Sequence, residues 1–172
     1  MVENPFGDRV TLSEYSDKYL KELDKFLQEV KDNGVWVFSV QPITAENPNW
    51  TILTFGYEEE NEVKVYMPMW SSPADGMSLA LHINGPELQS VPFELFASVI
   101  MENPRPGLVA AINPVVRNGK KKPNGESSVG LIPPLLIPFE ILLAVYRGNN
   151  ATSFSTELAG WIMRSKNAIY DF

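Results

Sequence analysis

Proline and glycine divide this chain into short segments, and that division constrains the fold more than any other feature. The 172 residues include 14 prolines and 11 glycines, and most of them stand at the edges of apolar runs. Proline lacks a main-chain donor and ends strands or begins helices, whereas glycine adopts turn conformations that other residues avoid. We therefore expect many short elements joined by tight turns, within a single domain over residues 1–172.

The longest regular pattern lies over residues 11–33. Thr11 and Glu14 have the spacing of a capping box. Apolar residues then recur at helical intervals as far as Val30, and Asn33-Gly34 supplies a left-handed stop. This predicts an amphipathic helix that buries one face. A second apolar stripe predicts a C-terminal helix over about residues 153–169.

Strand-like segments lie between these two helices. Residues 35–40 are dense in β-branched and aromatic side chains. Residues 50–57 and 63–69 are two further strand-like runs, joined by a polar segment, and they predict a hairpin. Residues 108–112 have the composition of a buried strand.

Shorter helices are predicted from residues 93 and 138, near prolines. Residues 73–80 can form another helix, although Gly76 weakens it, and a strand over 79–83 is the alternative. Together these patterns predict an α+β fold, with a mostly antiparallel sheet of four to six strands and helices packed largely on one face.

Residues 117–130 show no hydrophobic periodicity and predict a mobile loop. They contain Lys120, Lys121 and Lys122, which form the one concentrated basic feature of the sequence. Such a run can contact an acidic partner, so the three lysines are candidate partner-binding residues. A solvated loop is the alternative.

Composition excludes several classes of function. The formal net charge of −7 opposes general binding to nucleic acids and to anionic membranes. The absence of cysteine excludes disulfides, thiolate metal sites and thiol nucleophiles. The first residues lack the pattern of a signal peptide, and the longest apolar stretch is broken by prolines, so we expect a cytoplasmic protein that does not span a membrane.

Motifs for catalysis are not found in the sequence. His82, the one histidine, lies in an apolar run where a structural role is the simpler interpretation, and a hydrolase that uses His82 is the alternative. The acidic run over residues 58–62 lacks the spacing of a calcium loop. No glycine-rich phosphate motif is present. We therefore predict no catalytic residue, no metal site and no cofactor.

The four tryptophans have two interpretations. They are Trp36, Trp50, Trp70 and Trp161. Packing in the core is the simpler one, and an exposed tryptophan would be a candidate hot spot for binding another protein. The sequence does not distinguish them.

Four short motifs resemble the N-terminal domain of the bacterial enhanced serine sensitivity (SseB) family, over about residues 66–147. They are the segments 68–72 (PMWSS), 91–96 (VPFELF), 108–114 (LVAAINP) and 137–142 (IPFEIL). The resemblance implies an α+β fold and a role in binding. It implies no catalytic residues.

These observations favour a non-enzymatic protein-binding module of bacterial or phage origin, such as an adaptor, an immunity protein or an inhibitor. Trp70, Ser71 and Ser72 join the three lysines as candidate partner-binding residues. The partner is another protein of unspecified identity, and homo-oligomerisation is left open. An acidic inhibitor that imitates nucleic acid is the second hypothesis, and it requires the acidic residues to cluster on one face.

Overall fold

A computed structural model of the chain describes residues 12–44, 46, 51–59, 62–102, 107–121, 123, 127–132, 135–167 and 170–171. The helices are α1 (Leu12–Asn33), α2 (Pro73–Ala80), α3 (Phe93–Glu102), α4 (Phe139–Tyr146) and α5 (Ser155–Asn167), with a 3-10 turn at Ala151–Phe154. The strands are β1 (Val35–Ser39), β2 (Phe55–Glu59), β3 (Glu62–Met69), β4 (Glu87–Val91), β5 (Leu108–Ile112), β6 (Val115–Lys121), β7 (Ser127–Ile132), β8 (Leu135–Pro138) and β9 (Tyr170–Asp171). The predicted α+β class is confirmed.

The central sheet has the strand order β2-β3-β5-β8. β3 and β5 are parallel, whereas the β2–β3 and β5–β8 pairs are antiparallel. β1 pairs antiparallel with β4. It also continues the central sheet, because Trp36 and Trp70 exchange two main-chain hydrogen bonds of 2.8 and 3.0 Å. The strands are therefore mostly antiparallel, as predicted.

The two faces of the sheet are covered unequally. Since side chains alternate along a strand, Met67 and Met69 of β3 contact the larger core cluster, which contains buried residues of α1, α3, α4 and α5. Tyr66 and Trp70 belong to a smaller cluster on the other side, which includes Leu79 of α2. The prediction that helices pack largely on one face is confirmed.

Most of the predicted elements form with small shifts in their ends. α1 covers residues 12–33 of the predicted range 11–33, with Thr11 outside the described residues, and Gly34 ends the helix with a φ of +79°. The β2–β3 hairpin is also found, but its first strand is Phe55–Glu59 where residues 50–57 are predicted. The helix over residues 73–80 is found with the predicted bounds. α5 begins at Ser155, two residues after the predicted start at about residue 153, and residues 168–169 of the predicted range lie outside the described part of the chain.

The predicted loop over residues 117–130 is wrong for most of its length. β6 and β7 pair antiparallel there, with a register shift after Asn118. The numbers of paired residues add to 247 both in this hairpin (Val115↔Ile132) and in the β5–β8 pair (Val109↔Pro138). The hairpin is therefore the outward continuation of one ribbon, and its register is inherited from the buried strands. Lys122 and residues 124–126 lie outside the described residues.

Side chains from two helices close the outer edge of β8. Leu136 N–H donates to Ser165 Oγ at 2.7 Å, and Leu136 C=O accepts from Tyr19 Oη–H at 2.7 Å. Ser165 is buried and also donates to Trp161 C=O at 2.7 Å. Because an open strand edge can pair with other chains, these contacts protect this side of the sheet. None of the helices within the described ranges is long and apolar enough to cross a membrane.

Candidate functional site

The segment Trp70-Ser71-Ser72 connects the end of β3 to the start of α2. Trp70 is 0% exposed, its Nε1–H donates to Pro114 C=O at 2.9 Å, and its ring meets Phe38 edge-on at 5.6 Å between centroids. A side chain with no exposed area cannot touch a partner. Trp70 therefore belongs to the core, and its predicted role as a partner contact is wrong.

Ser71 and Asn113 hold the ends of β3 and β5 together. Ser71 N–H donates to Asn113 Oδ1 at 2.9 Å, and Asn113 Nδ2 donates to Ser71 Oγ at 3.2 Å. Asn113 N–H also donates to Met69 C=O at 2.8 Å. Ser71 is only 6% exposed. Two of the motifs named above, 68–72 and 108–114, thus meet at a junction with a structural role.

A small polar cleft of about 230 Å³ lies between this junction and α1. Its charged lining consists of Glu22, Lys25, Glu29 and Asp75. Ser72 also lines it and is exposed, and its side chain makes no capping bond to α2. No group of three potential metal ligands occurs in the described ranges. The cleft can hydrogen-bond to polar groups, but no imidazole lines it to activate a serine.

His82 lies in the turn after α2, and its side chain is exposed. Its main-chain N–H donates to Leu79 C=O at 2.9 Å, which extends the end of the helix. The apolar run around His82 is divided between the end of the helix and the turn, so its members face different environments.

Two large exposed apolar residues lie on the outer side of α2 and at its C-cap. Met77 is 60% exposed and Leu81 is 86% exposed, and they lie one helical turn apart. We call Met77 and Leu81 the α2 stripe. The opposite side of α2 packs closely on the sheet, since a Cβ added at Gly76 would lie 3.0 Å from Leu88 and 3.2 Å from Trp70.

The stripe was missed at the sequence level because apolar residues occur on both sides of α2. Residues 79–83 are dense in leucine and other apolar side chains, which favours a buried strand or helix. A helix of only eight residues is too short for its helical periodicity to show which side faces the core. The absence of a charged residue between Met77 and Leu81 is the one signal that the outer side is unusual.

The predicted lysine site is only partly described. Lys120 and Lys121 occupy the end of β6, and β6 lies beside α2. Val115, which begins β6, is exposed. The basic end of the hairpin and the α2 stripe are therefore carried by neighbouring elements, while Ser72 lies at the other end of α2.

A second groove, of about 290 Å³, lies between α1 and the end of α4. Tyr146 lines it, with Lys31 Nζ at 5.6 Å from the ring centroid. Burial raises the pKa of the Tyr146 hydroxyl above its ordinary value of 10.0, and the negative charge of Glu94 raises it further. This tyrosine is therefore neutral at physiological pH.

Comparisons with known proteins add no further constraint. Searches against protein-family models, curated proteins and solved structures found no match to this chain.

Proposed function

We propose that this protein is a non-enzymatic protein-binding module that contacts its partner through the α2 stripe. The observation that carries the proposal is the exposure of Leu81 and Met77, at 86% and 60%. Burying a leucine or methionine side chain contributes roughly 1.5–3 kcal/mol. Two such side chains one turn apart on a helix form an anchor of the kind that protein interfaces use.

The attachment of α2 to the sheet supports this proposal. Gly76 lets the helix approach Trp70 and Leu88, and Leu79 is buried against the same cluster. Pro73 fixes the first turn. A helix held this firmly presents the stripe in one orientation, which reduces the entropy lost on binding.

The charge pattern of α1 favours this proposal over an acidic imitation of nucleic acid. Exposed or half-buried acids and lysines are interspersed along the helix: Asp17, Lys18, Lys21, Glu22, Asp24, Lys25, Glu29, Lys31 and Asp32. An imitation of nucleic acid needs a nearly uniform acidic surface, and the longest helix does not supply one.

A catalytic role for His82 has less support than binding. The charged cleft lies toward the start of α2 and is lined by no histidine, while His82 follows the end of that helix. The proposal includes a role as an adaptor, immunity protein or inhibitor, and a relationship to the SseB family. Identification of the partner would test the role.

Affinity capture from cell extract, with recovered proteins identified by mass spectrometry, tests this function. The variant Met77→Asp/Leu81→Asp places charges on the stripe, and Met163→Asp places one on the exposed surface of α5. We expect the stripe variant to lose a recovered protein by about tenfold or more, while Met163→Asp retains it.

Both variants must keep the circular dichroism spectrum of the original chain for the comparison to count. Equal recovery by all three proteins would contradict the α2 stripe as the contact surface. A substrate turnover that His82→Ala abolishes would contradict the non-enzymatic proposal.

A further inference from the structure

The hydrogen bonds of β1 show which main-chain groups of β4 point away from the sheet. Trp36 N–H and C=O bond to Trp70, and Phe38 C=O accepts from Leu53 N–H, all on the side of β1 away from β4. Because main-chain groups alternate in direction along a strand, Val35, Val37 and Ser39 face β4. Their partners Val91, Gln89 and Glu87 face β1 in return. The N–H and C=O groups of Leu88 and Ser90 therefore point outward.

The outward groups of Leu88 and Ser90 have no hydrogen-bond partner within the described ranges of the chain. Ser90 uses only its side chain, which donates to Asn33 C=O at 3.4 Å. The opposite edge of the sheet differs, because the side chains of Tyr19 and Ser165 hydrogen-bond to the main chain of Leu136 there. One edge is thus closed by side chains, whereas the other keeps a donor and an acceptor at every second residue.

An extended polypeptide is the ligand that matches this spacing. A strand laid beside β4 would exchange main-chain hydrogen bonds with Leu88 and Ser90, as in recognition by strand addition. The helix that carries the α2 stripe packs on β4 through its inner side, where Gly76 contacts Leu88. A partner could therefore use both surfaces in one contact.

Charge and strand length favour a segment of another protein over a second copy of this chain. β4 has five residues between Pro86 and Pro92, and short edge strands flanked by proline resist self-pairing. Two copies would each bring a net charge of −7. Glu87 is exposed in the strand, and Glu94 is exposed shortly after it. A basic segment would complement these carboxylates.

We infer that β4 pairs with an extended segment of the partner protein that carries lysine or arginine, a proposal that rests on the protein-binding function and names its ligand. The partner segment supplies main-chain groups to Leu88 and Ser90 and positive charges to the neighbourhood of Glu87. The α2 stripe supplies apolar contact beside it.

Amide hydrogen exchange by NMR tests the edge directly, with a synthetic peptide of alternating lysine and valine as the probe. In the free chain we expect Leu88 and Ser90 to exchange faster than Gln89 and Val91, which bond to β1. Addition of the peptide should slow Leu88 and Ser90 by about tenfold or more. The same peptide with glutamate in place of lysine should bind more weakly.

Ser90→Pro removes the outward N–H, and Ser90→Ala is its matched control because it removes only the hydroxyl. We expect Ser90→Pro to weaken peptide binding by about tenfold or more and Ser90→Ala by less than about twofold. Exchange rates at Gln89 and Val91 show whether β4 remains paired with β1 in the proline variant. The exchange measurement on the unmodified chain decides the question even where that variant misfolds.

Several results would overturn the inference. Slow exchange at Leu88 and Ser90 in the free chain would show a closed edge, and concentration-dependent protection without peptide would make the occupant a second copy. Unchanged exchange with the peptide would exclude strand addition. If capture still depended on Met77 and Leu81, the protein-binding function would stand while the strand inference failed.

Discussion

Asn113 is the residue with the most unusual backbone. It is the one described non-glycine residue with a positive φ, at 49°, a region that asparagine tolerates better than other residues with a Cβ. Its side chain accepts from Ser71 N–H, and the following Pro114 carbonyl accepts from Trp70. The Asn-Pro pair therefore fixes how β3, β5 and the start of α2 meet.

Substitutions at Asn113 separate its two contributions. Asn113→Ala removes the bonds to Ser71 and places an ordinary residue at positive φ, so we expect the free energy of unfolding to fall by about 2–4 kcal/mol. Asn113→Gly removes the same bonds but tolerates the backbone, and should recover about 1 kcal/mol of that loss. Urea denaturation measures both. Equal losses would show that the backbone carries no strain.

Tyr146 predicts how stability changes at high pH. Since its folded pKa is raised, the unfolded chain gives up the phenolic proton first, and the contribution of Tyr146 to stability is lost as pH rises above about 10. Tyr146→Phe should show a smaller decrease in denaturation midpoint between about pH 9 and pH 11. An identical decrease in both proteins would mean that other groups cause it.

At the scale of elements, the two edges of the sheet are treated differently. Side chains of α1 and α5 hydrogen-bond to the main chain of β8, whereas β4 has main-chain donors and acceptors that point outward. The closed edge lies at the helix-covered part of the fold, and the open edge lies beside α2. This asymmetry favours addition of a strand at the β4 edge over addition at the β8 edge.

Ser165→Ala tests the closure of the β8 edge. The variant leaves the buried Leu136 N–H without its partner, so the free energy of unfolding should fall by about 1–3 kcal/mol. Ser153→Ala, at an exposed position in the 3-10 turn, is a control that should stay within about 0.5 kcal/mol. A Ser165→Ala effect as small as the control would contradict the role given to this hydroxyl.

The elements predicted from the sequence are those with local signals. α1 has its apolar stripe and Asn33-Gly34 stop, and β5 is an uninterrupted apolar strand. The β6–β7 hairpin has no such signal, because its register continues that of β5 and β8 and depends on tertiary pairing. Local preference was overridden there by the ribbon to which the segment belongs.

The candidate site was predictable only in part. The sequence predicts Trp70, Ser71 and Ser72 as partner contacts, and the structure places all three at one junction, but Trp70 is buried. No local pattern distinguishes a core tryptophan from an exposed one, since both lie in apolar runs. The open edge of β4 depends on strand order, which a single sequence does not show.

At the scale of the whole molecule, two features that folding does not require are carried by the neighbouring elements α2 and β4. The α2 stripe exposes apolar area, and the edge of β4 exposes main-chain groups. The inner side of α2 joins the two elements, since Gly76 contacts Leu88. A protein partner satisfies both at once. The polar cleft lies toward the start of α2, beside Ser71 and Asn113, and the junction that these two residues form explains it.

Chemical-shift mapping of the isotope-labelled chain with its captured partner tests this account most directly. We predict that the largest changes fall on Met77, Leu81, Leu88 and Ser90, with smaller changes at Glu22, Glu29 and Ser72 around the polar cleft. Changes concentrated at the cleft, with α2 and β4 unaffected, would contradict it.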